Sequence, residues 1–289
     1  MPIILVEGHV RDLGTFSVAR ILPAAVRRHV GPFVFFDHMG PVDFPPGEGV
    51  SVRPHPHIGL ATVTYLFEGA MTHRDSIGSV QDIVPGDVNW MSAGRGVVHS
   101  ERSPADLVVK GHRVHGLQIW VALPKDEEGS APWFKHDAGE SLPEVQLPGV
   151  VLRLIVGAAF DRRAPTQHAV PMFYAHAAMN RGAKFEFPAE YPERGIYPVD
   201  ATVEIDGISV KPRTMAIIDG SDTVTIRADG PATVMLLGGD SLDGERFLNW
   251  NFVASSKALI EGAREGWKSY PNAQFPKVPG DDEWIPLPA

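Results

Sequence analysis

Turn formers interrupt this chain so regularly that it has room for many short strands and few long helices. Its 29 glycines and 26 prolines are spread along all 289 residues. The apolar runs between them are about four to eight residues long, the length of strands. Gly31 to Phe36 runs into Asp37-His38-Met39-Gly40-Pro41. Leu60 to Phe67 carries Thr62-Val63-Thr64-Tyr65 and stops at Glu68-Gly69. Gln81 to Val84 meets the turn Pro85-Gly86-Asp87, and Val88 to Met91 follows it. Leu117 to Leu123 is the clearest strand of all. β-Branched and aromatic runs bounded by such turns predict an antiparallel sandwich or barrel.

The second half repeats the architecture without repeating the sequence. Strands are expected at Val150 to Val156, Met172 to Ala178, Ala183 to Phe187, Ala201 to Ile205, Met215 to Ile218, Thr223 to Ile226 and Ala232 to Leu237. Asp206-Gly207 and Asp229-Gly230 supply hairpin-type turns. Pro124 to Pro148, charged and rich in proline, reads as the linker. Two domains are therefore expected, 1–130 and 131–289. One helix is expected, Ser255 to Trp267, with serine at its start and Leu259, Ile260, Ala263 and Trp267 on one face. The tail from Pro271 is expected to be extended and to lie across the other domain through Trp284 and Ile285.

Composition narrows the function classes. The hydrophobic content of 44% and charged content of 21% are those of a soluble globular protein. There is no cysteine, so disulfides, thiolate chemistry and cysteine-held zinc are excluded. A net charge of −9 argues against direct nucleic-acid binding, which needs a basic face. No apolar run reaches the roughly 18 residues of a membrane span, and Met1 to Val10 lacks the basic start of a signal peptide. A cytoplasmic location is the default expectation.

Two pairs inside the strand pattern carry the chemistry: His55-Pro56-His57 and His99-Ser100-Glu101. Residues i and i+2 of a strand share a face, so each pair aims two donors at one spot. Either pair alone would most often be a surface coincidence. Together, 42 positions apart and each beside a glycine-bearing turn, they predict three imidazoles and one carboxylate converging inside a barrel. That donor set suits Fe(II), or Mn, Ni, Cu or Zn, with positions left open for substrate or oxygen. Glu101 has two readings that spacing does not separate: a permanent ligand, or a mobile general base toward a substrate hydroxyl.

Longer segments carry a family resemblance. Gly49 followed by His55-Pro56-His57, and the turn Pro85-Gly86-Asp87, resemble the openings of the two cupin motifs. Gly31 to Pro41, Tyr65 to Gly69, Gly86 to Gly94 and Val98 to Glu101 together resemble the pirin family, strongly in the N-terminal half and more weakly beyond it, through Leu117 to Trp120. The resemblance implies an all-β bicupin of two antiparallel jelly rolls with a short C-terminal helix. It implies that His55, His57, His99 and Glu101 are metal ligands, with iron the usual ion. It also implies quercetin 2,3-dioxygenase-like cleavage of a planar aromatic substrate by O₂, with Glu101 taking the substrate's proton, in a monomer. The alternative it implies is a non-catalytic, redox-sensitive regulator docking on a transcription factor or metabolic enzyme. One departure stands out: His57-Ile58-Gly59-Leu60-Ala61 lacks the arginine and the glutamate that many pirins carry after the second histidine.

The remaining candidates read more plainly. His38 is expected to be structural, and His73, just past the Glu68-Gly69 turn, stays open between structure and pocket. His112 and His115 flank a strand start and make no second metal site; His136, His168 and His176 show no paired spacing, so the second barrel is expected to lack metal. Trp90 and Met91 are the best pocket-lining candidates among the aromatic and apolar residues. Because histidine must be neutral to bind, and its ordinary pKa is about 6.5, metal affinity is expected to fall below roughly pH 6.

Overall fold

The computed structural model describes residues 3–166 and 168–288. The chain divides into two compact units that do not follow a single cut between 130 and 131. One contains Ala19–His38 and Glu140–Leu242, with the N-terminal stretch up to Arg11; the other contains Asp12–Val18, Met39–Gly139 and Asp243–Ala289. The reason is pairing. The first strand, Ile4–Glu7, completes the sheet of the former unit by pairing with Thr214–Asp219. The C-terminal residues from Phe247 to Val278 bury their apolar side chains with Ile58 and Val98 in the latter.

The unit holding Glu140–Leu242 is a cupin-type barrel. Its larger sheet runs Ile4–Glu7, Thr214–Asp219, Glu193–Pro198, Ala232–Gly239, Met172–Met179, Val150–Ala159, Glu144–Leu147. Its smaller sheet runs Lys184–Phe187, Val224–Arg227, Val203–Ile205, Ile208–Val210. The strand pairings along both are antiparallel. Leu152, Leu154, Phe173, Ala175, Ile196, Ile218 and Leu236 meet in its interior. Alternation along each strand sends these inward, and the barrel is filled by apolar side chains.

The unit holding Met39–Gly139 has a four-stranded sheet ordered Ser51–His57, Val97–Arg102, Met71–Asp75, Val80–Ile83. A second sheet runs Trp133–Asp137, Val88–Ser92, Leu60–Glu68, His112–Ala122 and on to Phe33–Phe44. Phe44, Val50, Leu66, Met71, Ile83 and Val114 pack together at one part of this unit. The outward side of the four-stranded sheet is covered by the C-terminal segment. Val98 packs there with Phe252, Ile260, Ala263, Trp267 and Phe275.

Two sequence expectations change. Pro124 to Pro148 is not a plain linker, because Trp133–Asp137 pairs with Val88–Ser92 and Glu144–Leu147 pairs with Val150–Ala159. Its apolar residues are scattered, but backbone pairing does not need them. The C-terminal helix is Lys257–Lys268, capped by the Ser256 side chain, which accepts the N–H of Leu259. Its buried face is Ile260, Ala263 and Trp267, while Leu259 is 47% exposed. A short helix at Ala105–Lys110 buries nothing, and so left no apolar period to read. No described helix is long and apolar enough to cross a membrane. The extended tail does reach the Ser51–His57 strand, where Ile285 N–H donates to Pro54 O at 2.8 Å.

The turn after His57 shows how tightly this backing is fitted. Gly59 has φ +64°, and a Cβ there would sit 2.0 Å from Val253 O. A Gly59→Ala substitution combines a left-handed residue, costing about 1–2 kcal/mol, with a backbone collision that separates Ile58 from Phe252. The expected loss is about 3 kcal/mol or more, at or beyond the upper end of what most single substitutions cost. It is read from the urea midpoint; an unchanged midpoint would contradict the packing described.

Candidate metal centre

The antiparallel pairing of Ser51–His57 with Val97–Arg102 sets His55 opposite His99 and His57 opposite Val97. A bulge between His99 and Glu101 shifts Glu101 opposite Val52. The extra residue lies on the Ser51–His57 strand, which bends there. There the Arg53 carbonyl comes within 2.9 Å of His55 Nδ1. His57 Nδ1 is likewise 3.0 Å from Asn251 O, supplied by the turn between the Phe247–Asn249 and Phe252–Ala254 strands. A carbonyl only accepts, so both Nδ1 atoms carry the proton, and both Nε2 atoms present a lone pair.

Those lone pairs converge. His57 Nε2 and His99 Nε2 are 3.1 Å apart, and donor atoms of His55, His57 and His99 all lie within 4.8 Å of one another. Two nitrogens bound to one ion at roughly 2.1 Å and at right angles lie roughly 3.0 Å apart. The three buried imidazoles therefore fit a divalent transition metal in both spacing and donor type. Among the described residues no other such group is found.

Burial also sets the charge state. It lowers the His55 pKa to about 4, against a raising effect from Arg53 O. It carries His57 and His99 well below 6.5, with the neighbouring imidazoles adding to the fall. The rings are neutral and ready to ligate well below pH 6, which revises the pH 6 limit expected from free histidine. In the metal-free protein these histidines bind fewer protons folded than unfolded between about pH 6.5 and 4. Stability therefore falls as pH drops through that window, by about 3 kcal/mol for His55 alone. Thermal melts of metal-free protein should show Tm falling from pH 6.5 to 4. A flat profile would contradict neutral, buried rings.

Glu101 stands outside the three-histidine group. Gln118 Nε2 lies 3.2 Å from each of its carboxylate oxygens, and Thr64 Oγ1 lies 3.3 Å from Oε1. Thr64 has one proton, and Gln118 Oε1 is its nearer acceptor at 2.7 Å. Donation there turns the Gln118 amide N–H groups toward Glu101. Strand register explains the trio, since Gln118 pairs with Thr64 across the Leu60–Glu68 and His112–Ala122 strands. Burial pushes the Glu101 carboxyl above its ordinary value, partly offset by His73 and these hydrogen bonds.

The walls are aromatic and apolar. Trp120 stands edge-on 5.1 Å from His57. Met91 pairs with Thr62, which pairs with Trp120, so it shares their face; Trp90 pairs with Val63 and points the other way. Of the two expected lining residues, Met91 alone is placed toward the site. His38 is tied to Tyr197, with Nδ1 2.7 Å from the phenol oxygen, in keeping with a structural role.

Sequence reading left His73 undecided and passed over Asp75 and Asn251. His73 and Asp75 repeat the i, i+2 spacing of His55/His57 and His99/Glu101 on the Met71–Asp75 strand, whose burial alternates so that both face inward. That signal was available. Asn251 acts through its carbonyl, which any residue would offer, and nothing in the sequence could mark it.

Family models for pirin and for the pirin C-terminal cupin domain match residues 15–121 and 174–273. A pirin-like protein of Caulobacter vibrioides is 48% identical over 283 residues, covering 96% of each chain. Human pirin is 30% identical over 256 residues, covering 83% of this chain and 85% of its own. A crystal structure of quercetin 2,3-dioxygenase from Acinetobacter baumannii superposes with TM-score 0.92 at 31% identity, over 99% of this chain and 95% of that one. The bacterial pirin YhhW of Escherichia coli, in complex with nickel(II), shares the fold at TM-score 0.67 and 21% identity, covering 83% of this chain and all of its own. With two cupin barrels, a three-histidine cluster and relatives matched nearly end to end, the chain belongs to the pirin family.

Proposed function

We propose that this protein is a metal-dependent dioxygenase that cleaves a flavonol-type aromatic substrate with O₂. The observation that carries the reading is the cluster of three neutral, buried imidazoles in a chain 31% identical, end to end, to a quercetin 2,3-dioxygenase structure. His55, His57 and His99 would hold the ion through Nε2, with Glu101 as the fourth donor or the base. Iron is the proposed resident, and manganese, nickel, copper and zinc suit the same donors. When bound, such an ion supplies Lewis acidity toward a hydroxyl and redox chemistry with O₂.

The chain's own residues do the rest. Glu101 takes the proton of the substrate's acidic hydroxyl, and burial makes its carboxylate a stronger base than a free one. Gln118, oriented by Thr64, holds that carboxylate in place before the proton arrives. Trp120 and Met91 offer apolar surface to a planar ring and keep water away. Ala61 leaves the region after His57 without a carboxylate, so the preferred flavonol need not be that of pirins with glutamate there. The apolar filling of the other barrel supports a single metal site per chain.

Oxygen uptake by iron-loaded protein across a panel of flavonols and catechols tests the reading. Uptake that requires both metal and flavonol is expected. Unchanged uptake without metal rules the mechanism out. No uptake with any substrate favours the alternative, a regulator whose acidic surface docks on a basic protein partner.

A further inference from the structure

We infer that Asp75 and His73 form a proton-locked relay that holds His99 in the one tautomer able to ligate, which makes both of them positioning residues. The inference rests on the reading that His99 is a metal ligand. His55 and His57 have their Nδ1 protons fixed by main-chain carbonyls, Arg53 O and Asn251 O. For His99, the Nδ1 partner is instead another imidazole, with His73 Nδ1 at 3.4 Å.

The direction of that contact follows from the far end of the chain. Asp75 is fully buried. Its Oδ1 accepts the backbone N–H groups of Ile77 and Ser79, at 3.1 and 2.9 Å, and its Oδ2 lies 3.0 Å from His73 Nε2. A carboxylate has no proton to give, so His73 carries its proton on Nε2 and accepts on Nδ1. His99 must then donate from Nδ1. Its Nε2 is left with a lone pair, turned toward His57 Nε2 at 3.1 Å. One buried carboxylate thus sets each proton position along Asp75, His73 and His99. Phe134 stacks on the His73 ring at 4.5 Å and 17°, which keeps the relay in line.

The same geometry makes a nearly isosteric change decisive. In Asp75→Asn the amide oxygen must face the Ile77 and Ser79 N–H groups, because an NH₂ there would meet two donors. The NH₂ then faces His73 Nε2. His73 must accept on Nε2 and donate from Nδ1, and His99 must accept on Nδ1 and carry its proton on Nε2, the ligating atom. A carboxylate-to-amide change is known to leave a catalytic imidazole in the wrong tautomer with its geometry intact.

The test is ¹⁵N NMR of the histidine rings in metal-free protein, beside a nickel(II) titration by calorimetry. Wild type should show His99 protonated at Nδ1, and Asp75→Asn should show it protonated at Nε2. Nickel affinity should fall at least about tenfold in Asp75→Asn, the size expected when a ligand's outer partner is changed. His73→Phe keeps the stack on Phe134 and removes both nitrogens, so His99 should populate both tautomers. That variant decides the matter should Asp75→Asn not fold. Protonation of the same His99 nitrogen in wild type and variants overturns the relay, whatever happens to Tm. Tautomers that switch as described, in a wild type that binds no nickel, leave the relay standing and remove the metal-site reading instead.

Discussion

Replacing His57 by alanine is expected to lower affinity for a divalent metal by more than about a hundredfold, since changing only the outer partner of a ligating histidine costs 10–100-fold. The ring is fully buried, its Nε2 lies 3.1 Å from His99 Nε2, and Asn251 O holds its other nitrogen. Removing it takes away a donor, leaves Asn251 O without that partner, and opens a gap beside Trp120. The last two effects should lower stability by about 1–3 kcal/mol, the size of an unsatisfied buried polar group. Calorimetric titration with nickel(II), or with iron(II) under anaerobic conditions, reads the affinity, and a thermal melt checks the fold. Affinity within about threefold of wild type in a folded variant would show that His57 is no ligand.

The second large effect falls on turnover. Glu101→Gln should lower flavonol-dependent oxygen uptake by about 10²–10⁴-fold, the usual contribution of a positioned general base. An amide keeps the size of the side chain and an oxygen for Gln118 Nε2 to donate to. It does not take a proton from a hydroxyl. Because Glu101 lies outside the three-histidine group, the variant should still bind one ion per chain. Loss of both metal and turnover would assign Glu101 as an obligatory ligand. Retention of full turnover would remove it from the mechanism.

The strands were legible because turn formers bound them, and the His55/His57 and His99/Glu101 pairs because they obey period two. Strands such as Leu60–Glu68 and Met172–Met179 end within a residue or so of the turn formers that bound them. His55, His57 and His99 meet because i and i+2 share a strand face, and that rule needs no tertiary knowledge. The mixed make-up of the two units was hidden for the opposite reason. Ile4–Glu7 joins a sheet whose partner strand begins at Thr214, and no local pattern records so distant a pairing. Likewise, the position of Glu101 depends on a bulge and on Thr64 and Gln118, which come from two other strands. His73 was the legible residue left undecided: its spacing to Asp75 matched that of His55/His57 and His99/Glu101, but a turn-adjacent histidine has many ordinary explanations.

The most direct measurement is the crystal structure of metal-loaded protein, with anomalous diffraction collected at the absorption edge of the ion supplied. One peak per chain is expected, within about 2.0–2.2 Å of Nε2 of His55, His57 and His99. A peak that misses any of these three nitrogens, or an ion held elsewhere on the chain, would contradict the convergence on which the proposed chemistry depends.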